Sequence, residues 1–474
     1  MDEVHRSAEV RIGVVMAEPR TTERSALARL FPQRGLSREV LRLATPVTLS
    51  TLTFTLLTVV DTAMLGRLGA VPLAAAGVAG VLFFAITFPI SGLSVGVQAL
   101  AARRFGEGNE AHCGQVLNMG VGLCLALGVP LVLGAPWLAR TIAPLSSNDP
   151  EVLASGTVYL HYRFLGAAFM LLNFTARGFF AGIGKTGHQL SGSILITVTN
   201  ILLDYLLIFG HGGFPKLGVQ GAALASTIAS GAGTLYYLAV VVLGPGYRRR
   251  FAVLRPPLFV SQWLRPIVRL SVPVFAQRLV SNGAWSVFFL IVARIGTVEL
   301  AASNVIRSIY HLTIMVGVGL GTAASALVGQ HLGSVKPDRA ERLAWEAVKL
   351  ASWTMALLGI LFLAAPGAVF RIYTNDLSVT EAGRLPLMLL GFVQAFAGIA
   401  LVLSQALQGA GNTRYVMVVE LFCVACYLPT VYFLGLRTPL GLVGAWTGEY
   451  VYWLLIATAM VWKFRTGTWK TIVV

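Results

Sequence analysis

The sequence predicts an all-α integral membrane protein, with twelve transmembrane helices in two pseudo-symmetric six-helix bundles. Three observations predict it. Of the 474 residues, 56% are apolar and only 12% are charged, about half the charged share of an ordinary soluble domain. The apolar residues come in runs of about 18 to 28, the length a bilayer-crossing helix needs. Landmark residues also recur at a fixed offset of 227 positions, which marks an internal duplication. A soluble enzyme, a disordered chain and a disulfide scaffold are excluded.

The expected spans are 42–66, 74–102, 113–136, 156–180, 187–210 and 217–243, then 266–293, 300–329, 345–370, 382–408, 413–436 and 441–463. Between the two sets lies a polar break that begins Gly244-Pro245-Gly246-Tyr247-Arg248-Arg249-Arg250. Three adjacent arginines belong in the cytosol by the positive-inside rule. Counting outward, Arg103, Arg104, Lys185, Lys336, Arg339, Arg342, Arg414, Lys463 and Arg465 then fall on the same side. The opposite loops hold little more than Arg67, Arg140, Lys216, Arg294, Arg371 and Arg437. Both termini are therefore expected in the cytosol of a multi-pass inner (plasma) membrane protein. The domain expectation is a cytosolic tail 1–40, an N-lobe 41–244, a linker 245–265, a C-lobe 266–464 and a cytosolic C-terminus 465–474. The tail lacks the apolar core of a signal peptide, and Met16 is an alternative start.

The net charge of +16 is spread over short loops and is no nucleic-acid footprint. Arg42, Leu43, Pro46 and Val47 return as Arg269, Leu270, Pro273 and Val274, and Gly182-x-Gly184-x-Thr186 returns as Gly409-x-Gly411-x-Thr413. Shared hydrophobicity would not fix glycine and polar positions over such a distance. Near the end the offset shortens to 223, where Gly218-x-x-Gly221-Ala222 meets Gly441-x-x-Gly444-Ala445. Each half has an even number of spans, so the halves are parallel repeats, an arrangement that places a cavity between two rocking bundles.

Several motifs fail. Gly184-Lys185-Thr186 resembles the end of a phosphate-binding loop, but Phe179 stands where its first glycine belongs. The two G-x-G-x-T segments are instead read as turns. Cys423-x-x-Cys426 lies within an apolar span, without the βαβ context of a redox pair. No nucleophile–base or metal motif is present, so no enzyme activity and no cofactor are expected.

Ionisable groups inside a span are functional candidates by default. Asp61 and Asp204 each lie five or six residues before the outer end of a span, at one depth, and Asn200 precedes Asp204 by one helical turn. Two carboxylates and an amide can hold Na⁺ through oxygen ligands or share a proton. The alternative is that each aspartate snorkels outward or pairs with Arg67. The second repeat lacks this set: Asp61 maps to Phe288, and Asp204 maps to Tyr427 or Val431. Glu420 and Glu449 are separate acids, and Glu449 aligns with Ser226. They are expected either to pair with Arg278 or Arg307 or, like Arg278, to act as cavity charges. Pro46 and Pro273 recur near the inner ends of their helices, and a proline there allows a hinge.

Taken together, Val60-Asp61-Thr62-Ala63-x-x-Gly66, Asn200-Ile201-x-x-Asp204, Gly218-Val219-Gln220-Gly221-Ala222-Ala223-x-Ala225 and the two G-x-G-x-T turns resemble the multidrug and toxic compound extrusion (MATE) family, in its DinF-like branch. The resemblance implies a two-lobed exporter driven by H⁺ or Na⁺, with Asp61, Asn200, Asp204 and Ser226 as the N-lobe coupling site and Pro46 as the bend in helix 1. The NorM-like branch has acids in helices 7 and 10. Here helix 7 shows Gln277, Arg278 and Asn282 and helix 10 has no acid, so coupling is expected in the N-lobe alone. Substrates are expected to be amphipathic, cationic organic compounds. The partners are those small molecules and the lipid bilayer, with no nucleic acid, and the chain is taken as a monomer. The competing function is a lipid or lipid-linked precursor flippase, for which Arg163, Arg278 and Arg307 would line the cavity.

Overall fold

The computed structural model describes residues 31–145, 147–244, 246–253 and 259–474. The first half holds α1 (Arg34–Gly66), α2 (Ala70–Ile90), α3 (Leu93–Gly106), α4 (Glu110–Leu133), α5 (Ala135–Ile142), α6 (Pro150–Leu165), α7 (Ala167–Gly182), α8 (Thr186–Phe209) and α9 (Val219–Leu243). A one-turn α10 (Tyr247–Arg250) leads to α11 (Leu264–Ile295), α12 (Thr297–Gly333), α13 (Pro337–Ala364) and α14 (Pro366–Arg371). The chain ends with α15 (Leu377–Gly409), α16 (Thr413–Leu436) and α17 (Gly441–Arg465). No strand occurs among the described residues.

Ten spans are long and apolar enough to cross a membrane, α2 and α3 counting as one, and the α6–α7 pair, bent by 48°, makes an eleventh. The twelfth, α17, has 25 residues, a length of about 37 Å. Its mean hydropathy is lowered by Glu449 and by the rings of Trp446, Tyr450, Tyr452 and Trp453. The fold is therefore all-α and membrane-spanning, in two six-helix lobes.

Several boundaries move for physical reasons. The first helix starts at Arg34, so residues 34–40 of the expected tail are helical; they are tied down because the Gln33 N–H and the Ser37 hydroxyl both donate to Glu346 of α13. The Met16 question lies outside the described residues. The expected span 113–136 ends at Leu133, where Gly134 turns the chain into α5. The expected span 156–180 is two helices broken at Gly166, where a Cβ would lie 2.7 Å from Thr227 Oγ1 of α9. The expected span 345–370 stops at Ala364, and Pro366 starts α14. The linker is not a loose tether either. Phe251, Val253 and Trp263 are buried against the N-lobe core, Trp263 Nε1 donates to Gln115 Oε1 at 3.0 Å, and Arg250 pairs with Glu110.

The duplication is visible in how the lobes meet. Helix α1 packs on α12, while α11, the repeat partner of α1, packs on α2 and α3, the repeat partners of α12. Both G-x-G-x-T segments are turns, with Gly184 at φ 72° and Gly411 at φ 93°, a region that favours glycine.

The contacts between lobes gather toward the face that carries both terminal segments. Glu39 pairs with Arg339 at 2.8 Å and faces His331 at 3.4 Å, and Gln330 Nε2 donates to the Gly182 carbonyl at 2.7 Å. Gly106 lies directly against the Gln330 carbonyl, and Gly333 against that of Arg103. Such small-residue contacts are how membrane helices approach closely. The segment after α17 crosses this face: Lys470 pairs with Glu341 at 2.7 Å, Arg103 donates to the Ile472 carbonyl at 2.8 Å, and Trp469 is fully buried on Phe464. The hydrogen bonds to Glu341 and Asp338 raise the Lys470 ammonium above its ordinary range. Among the described residues, no hydrogen bond, ion pair or close glycine contact joins the lobes beyond the level of Thr55 and Met315, whose Oγ1 and Sδ are 3.1 Å apart.

Gly106→Ala is expected to lower stability by roughly 1–3 kcal/mol, the usual cost of overpacking. Gly187→Ala, which meets nothing within 4 Å, should be neutral, and thermal midpoints of the purified protein in detergent compare the two.

Candidate functional site

The site is built by two parallel helices held in register. Gln189 Nε2 of α8 donates to Ser50 Oγ of α1 at 3.1 Å, and Thr197 Oγ1 donates to the Thr53 carbonyl at 3.3 Å. Continuing along both helices brings Asp204 level with Asp61. Asn200 and Asp204 are fully buried, while Asp61 and Ser226 are half-buried.

Only one orientation of the Asn200 amide matches donors to acceptors. In it, Nδ2 donates to Asp61 Oδ1 at 2.9 Å and to Asp204 Oδ2 at 3.2 Å, and the amide oxygen accepts from the Ser226 backbone N–H at 3.1 Å. The two carboxyl groups are also within hydrogen-bonding reach of each other. Asp204 Oδ1 is buried without a protein partner. The structure thus brings the four expected residues together on α1, α8 and α9. It does not pair either aspartate with Arg67: the partner is the Asn200 amide.

Two further residues join the site from α6. Arg163 acts electrostatically on both carboxyl groups, and Tyr159, one turn earlier, senses the same pair. The Arg163 guanidinium rests over the Phe83 ring at 4.6 Å, with its Nε buried and unbonded. An arginine inside a span that shares its lobe with two acids was the available signal.

Glu420 and Glu449 are buried, and their expected pairing with Arg278 or Arg307 does not form. Glu420 accepts from Ser281 and from Tyr452 at 2.8 Å; Glu449 accepts from Trp453 Nε1 at 2.9 Å and from Tyr310 at 3.3 Å. Their partners are neutral because Arg278 is taken up elsewhere, donating to Ser91 and lying over Phe88, and Arg307 lies over Phe289 at 5.0 Å. Pro46 lies inside a helix that continues unbroken through it. Cys423 and Cys426 are both free. Among the described residues, no group of three or more His, Cys, Asp or Glu side chains is placed to hold a metal ion.

A family model described as MatE matches twice, at residues 46–206 and 273–433, the same 227-residue offset at each end. Among curated proteins, a probable multidrug resistance protein NorM of Rhizobium meliloti is 30% identical over 436 residues, covering 85% of this chain and 88% of its own. One of the same name from Thermotoga maritima is 26% identical over 438 residues, covering 92% and 93%. Their name is NorM, whereas the motif resemblance implied the DinF-like branch. Among solved structures, an outward-facing multidrug resistance MATE family transporter superposes with a TM-score of 0.84 at 20% identity, over 96% of this chain and all of its own.

Asn200→Ala is expected to cost about 1–3 kcal/mol, because the buried Asp204 and the half-buried Asp61 both lose their donor. The cost should shrink when Asp61→Asn is already present, since the residues form one network. A double-mutant cycle on thermal midpoints measures it.

Proposed function

The chain belongs to the MatE family of membrane transporters, and from that premise we propose that it is a secondary multidrug efflux antiporter. It exports amphipathic, cationic organic compounds in exchange for H⁺, or for Na⁺ at the same residues. The observation that carries this reading is the single Asn200 amide bridging two carboxyl groups inside the membrane. Like charges that close cannot both stand uncompensated in a low-dielectric interior. The pair therefore takes up a monovalent cation, either one proton shared between Asp61 and Asp204 or a Na⁺ held in part by the unpartnered Asp204 oxygen. Arg163 favours the charged form of the pair from α6 and leaves the coupling ion to the two carboxyl groups themselves.

The rest of the cycle follows from the packing. With the terminal face taken as cytosolic, the lobes are closed on the inside and part toward the outside. Loading the N-lobe pair changes the charge carried by α1, and Pro46 is the place where that helix can bend. Rocking about the contact between lobes then presents the cavity to the other side. The names of the curated relatives support a broad substrate range. A lipid flippase would need arginines free in the cavity, and Arg163, Arg278 and Arg307 each lie over a phenylalanine ring.

The test is ethidium transport into proteoliposomes under an imposed pH gradient or an imposed Na⁺ gradient. One gradient is expected to drive the wild type, and Asp61→Asn and Asp204→Asn should each lose the driven component. If neither gradient moves dye through folded protein, the multidrug reading fails and lipid flipping is assayed in its place.

A further inference from the structure

The C-lobe carries its own arrangement at the place that corresponds to the N-lobe pair. Phe288 and Tyr427, the repeat partners of Asp61 and Asn200 at the 227-residue offset that α8 and α16 keep from end to end, lie with near-parallel rings, centroids 6.3 Å apart and planes at 22°, and Val431 stands for Asp204. The carboxyl group has moved one helix over, to Glu449 of α17, the repeat partner of Ser226. Phe288 and Val431 stand in place of the two acids, Tyr427 in place of the amide, and an acid in place of the serine. Glu449 is 4% exposed. It is faced by Tyr310 from α12, Tyr427 from α16 and Trp453 on its own helix.

Glu420, 1% exposed, is faced by Ser281 and Gln277 from α11, Tyr452 from α17 and Cys423 on its own helix. Tyr452 lies in the field of both glutamates, and its ring is 5.8 Å from that of Tyr427. Neither glutamate has a cationic partner among the described residues, where the ion pairs gather near the terminal face. One further feature points to a ligand. The Tyr427 hydroxyl, on a residue 4% exposed, has no hydrogen-bond partner although it sits beside Glu449.

A carboxylate this deep without a counter-charge must take up a cation. The shell excludes most candidates. The indole nitrogen of Trp453 is a donor only, so it cannot ligate a metal, and the Tyr310 hydroxyl donates to the same carboxyl oxygen. The cation that fits is a proton. The same donors steady the carboxylate once the proton leaves, so the group can cycle between the two forms. We propose that Glu449 is a second proton-binding site, which loads and empties in the C-lobe independently of Asp61 and Asp204. Its use in transport rests on the antiporter reading; its existence does not.

Infrared difference spectroscopy of the full chain in liposomes, stepped in pH, tests this on an Asp61→Asn/Asp204→Asn background. A buried carboxylic-acid band that titrates is expected to persist in that background and to be lost when Glu449→Gln is added. Should Glu449→Gln not fold, Tyr427→Phe in the same background is expected to shift the band, because it removes the adjacent hydroxyl. No titrating band in the background, or a band unmoved by either change, overturns the proposal. Gradient-driven ethidium transport is read separately. A folded Glu449→Gln protein that loses it, with part regained in Glu449→Asp, places the site in the cycle. A wild type that shows no driven transport sinks the antiporter reading and leaves the infrared result standing.

Discussion

A polar group inside a bilayer has no water to turn to, so each one must be met by another group of the chain. The N-lobe depends on one such meeting, the Asn200 amide set between the carboxyl groups of Asp61 and Asp204. It requires α1 and α8 to run parallel and in register, which the Gln189–Ser50 and Thr197–Thr53 contacts secure. Arg163 of α6 acts electrostatically on the same pair. Register and polar satisfaction are thus one problem with one local solution.

The same constraint was met differently in the second lobe. Duplication kept the glycines that let helices approach and the turns at Gly184 and Gly411, because backbone packing tolerates little change. Side chains lining the lobe interior were freer. There, Phe288 and Tyr427 stack at the positions that correspond to Asp61 and Asn200, and Glu449 takes its hydrogen bonds from an indole and a tyrosine hydroxyl. The lobes touch through α1 on α12 and α11 on α3. The contacts tighten toward the terminal face, where the C-terminal segment spans both halves through Lys470 and Arg103.

Much of this was legible in the sequence because its signals are local or periodic. Hydropathy gave the spans to within a few residues, the 227-residue offset gave two lobes, and the equal depth of Asp61 and Asp204 pointed to residues that the fold brings together. Other features depend on which faces meet, and no pattern along the chain carries that. The break at Gly166 exists because α9 presses against it at Thr227. The early start of α1 exists because Glu346, distant in sequence, holds Gln33 and Ser37. The glutamates of the C-lobe took hydroxyl and indole partners in place of arginines for a related reason: each arginine had a ring within reach, and a charge over an aromatic face is already partly satisfied.

The central claim is that the Asp61–Asn200–Asp204 site holds the coupling ion and yields it to substrate. Calorimetric titration of ethidium into the purified protein tests it most directly, run in buffers of different ionisation enthalpy, with and without Na⁺. The account predicts that dye binding to the wild type displaces H⁺ or competes with Na⁺, and that this dependence is lost or sharply reduced in Asp61→Asn/Asp204→Asn. A folded double variant that keeps the full wild-type dependence on both ions would contradict it.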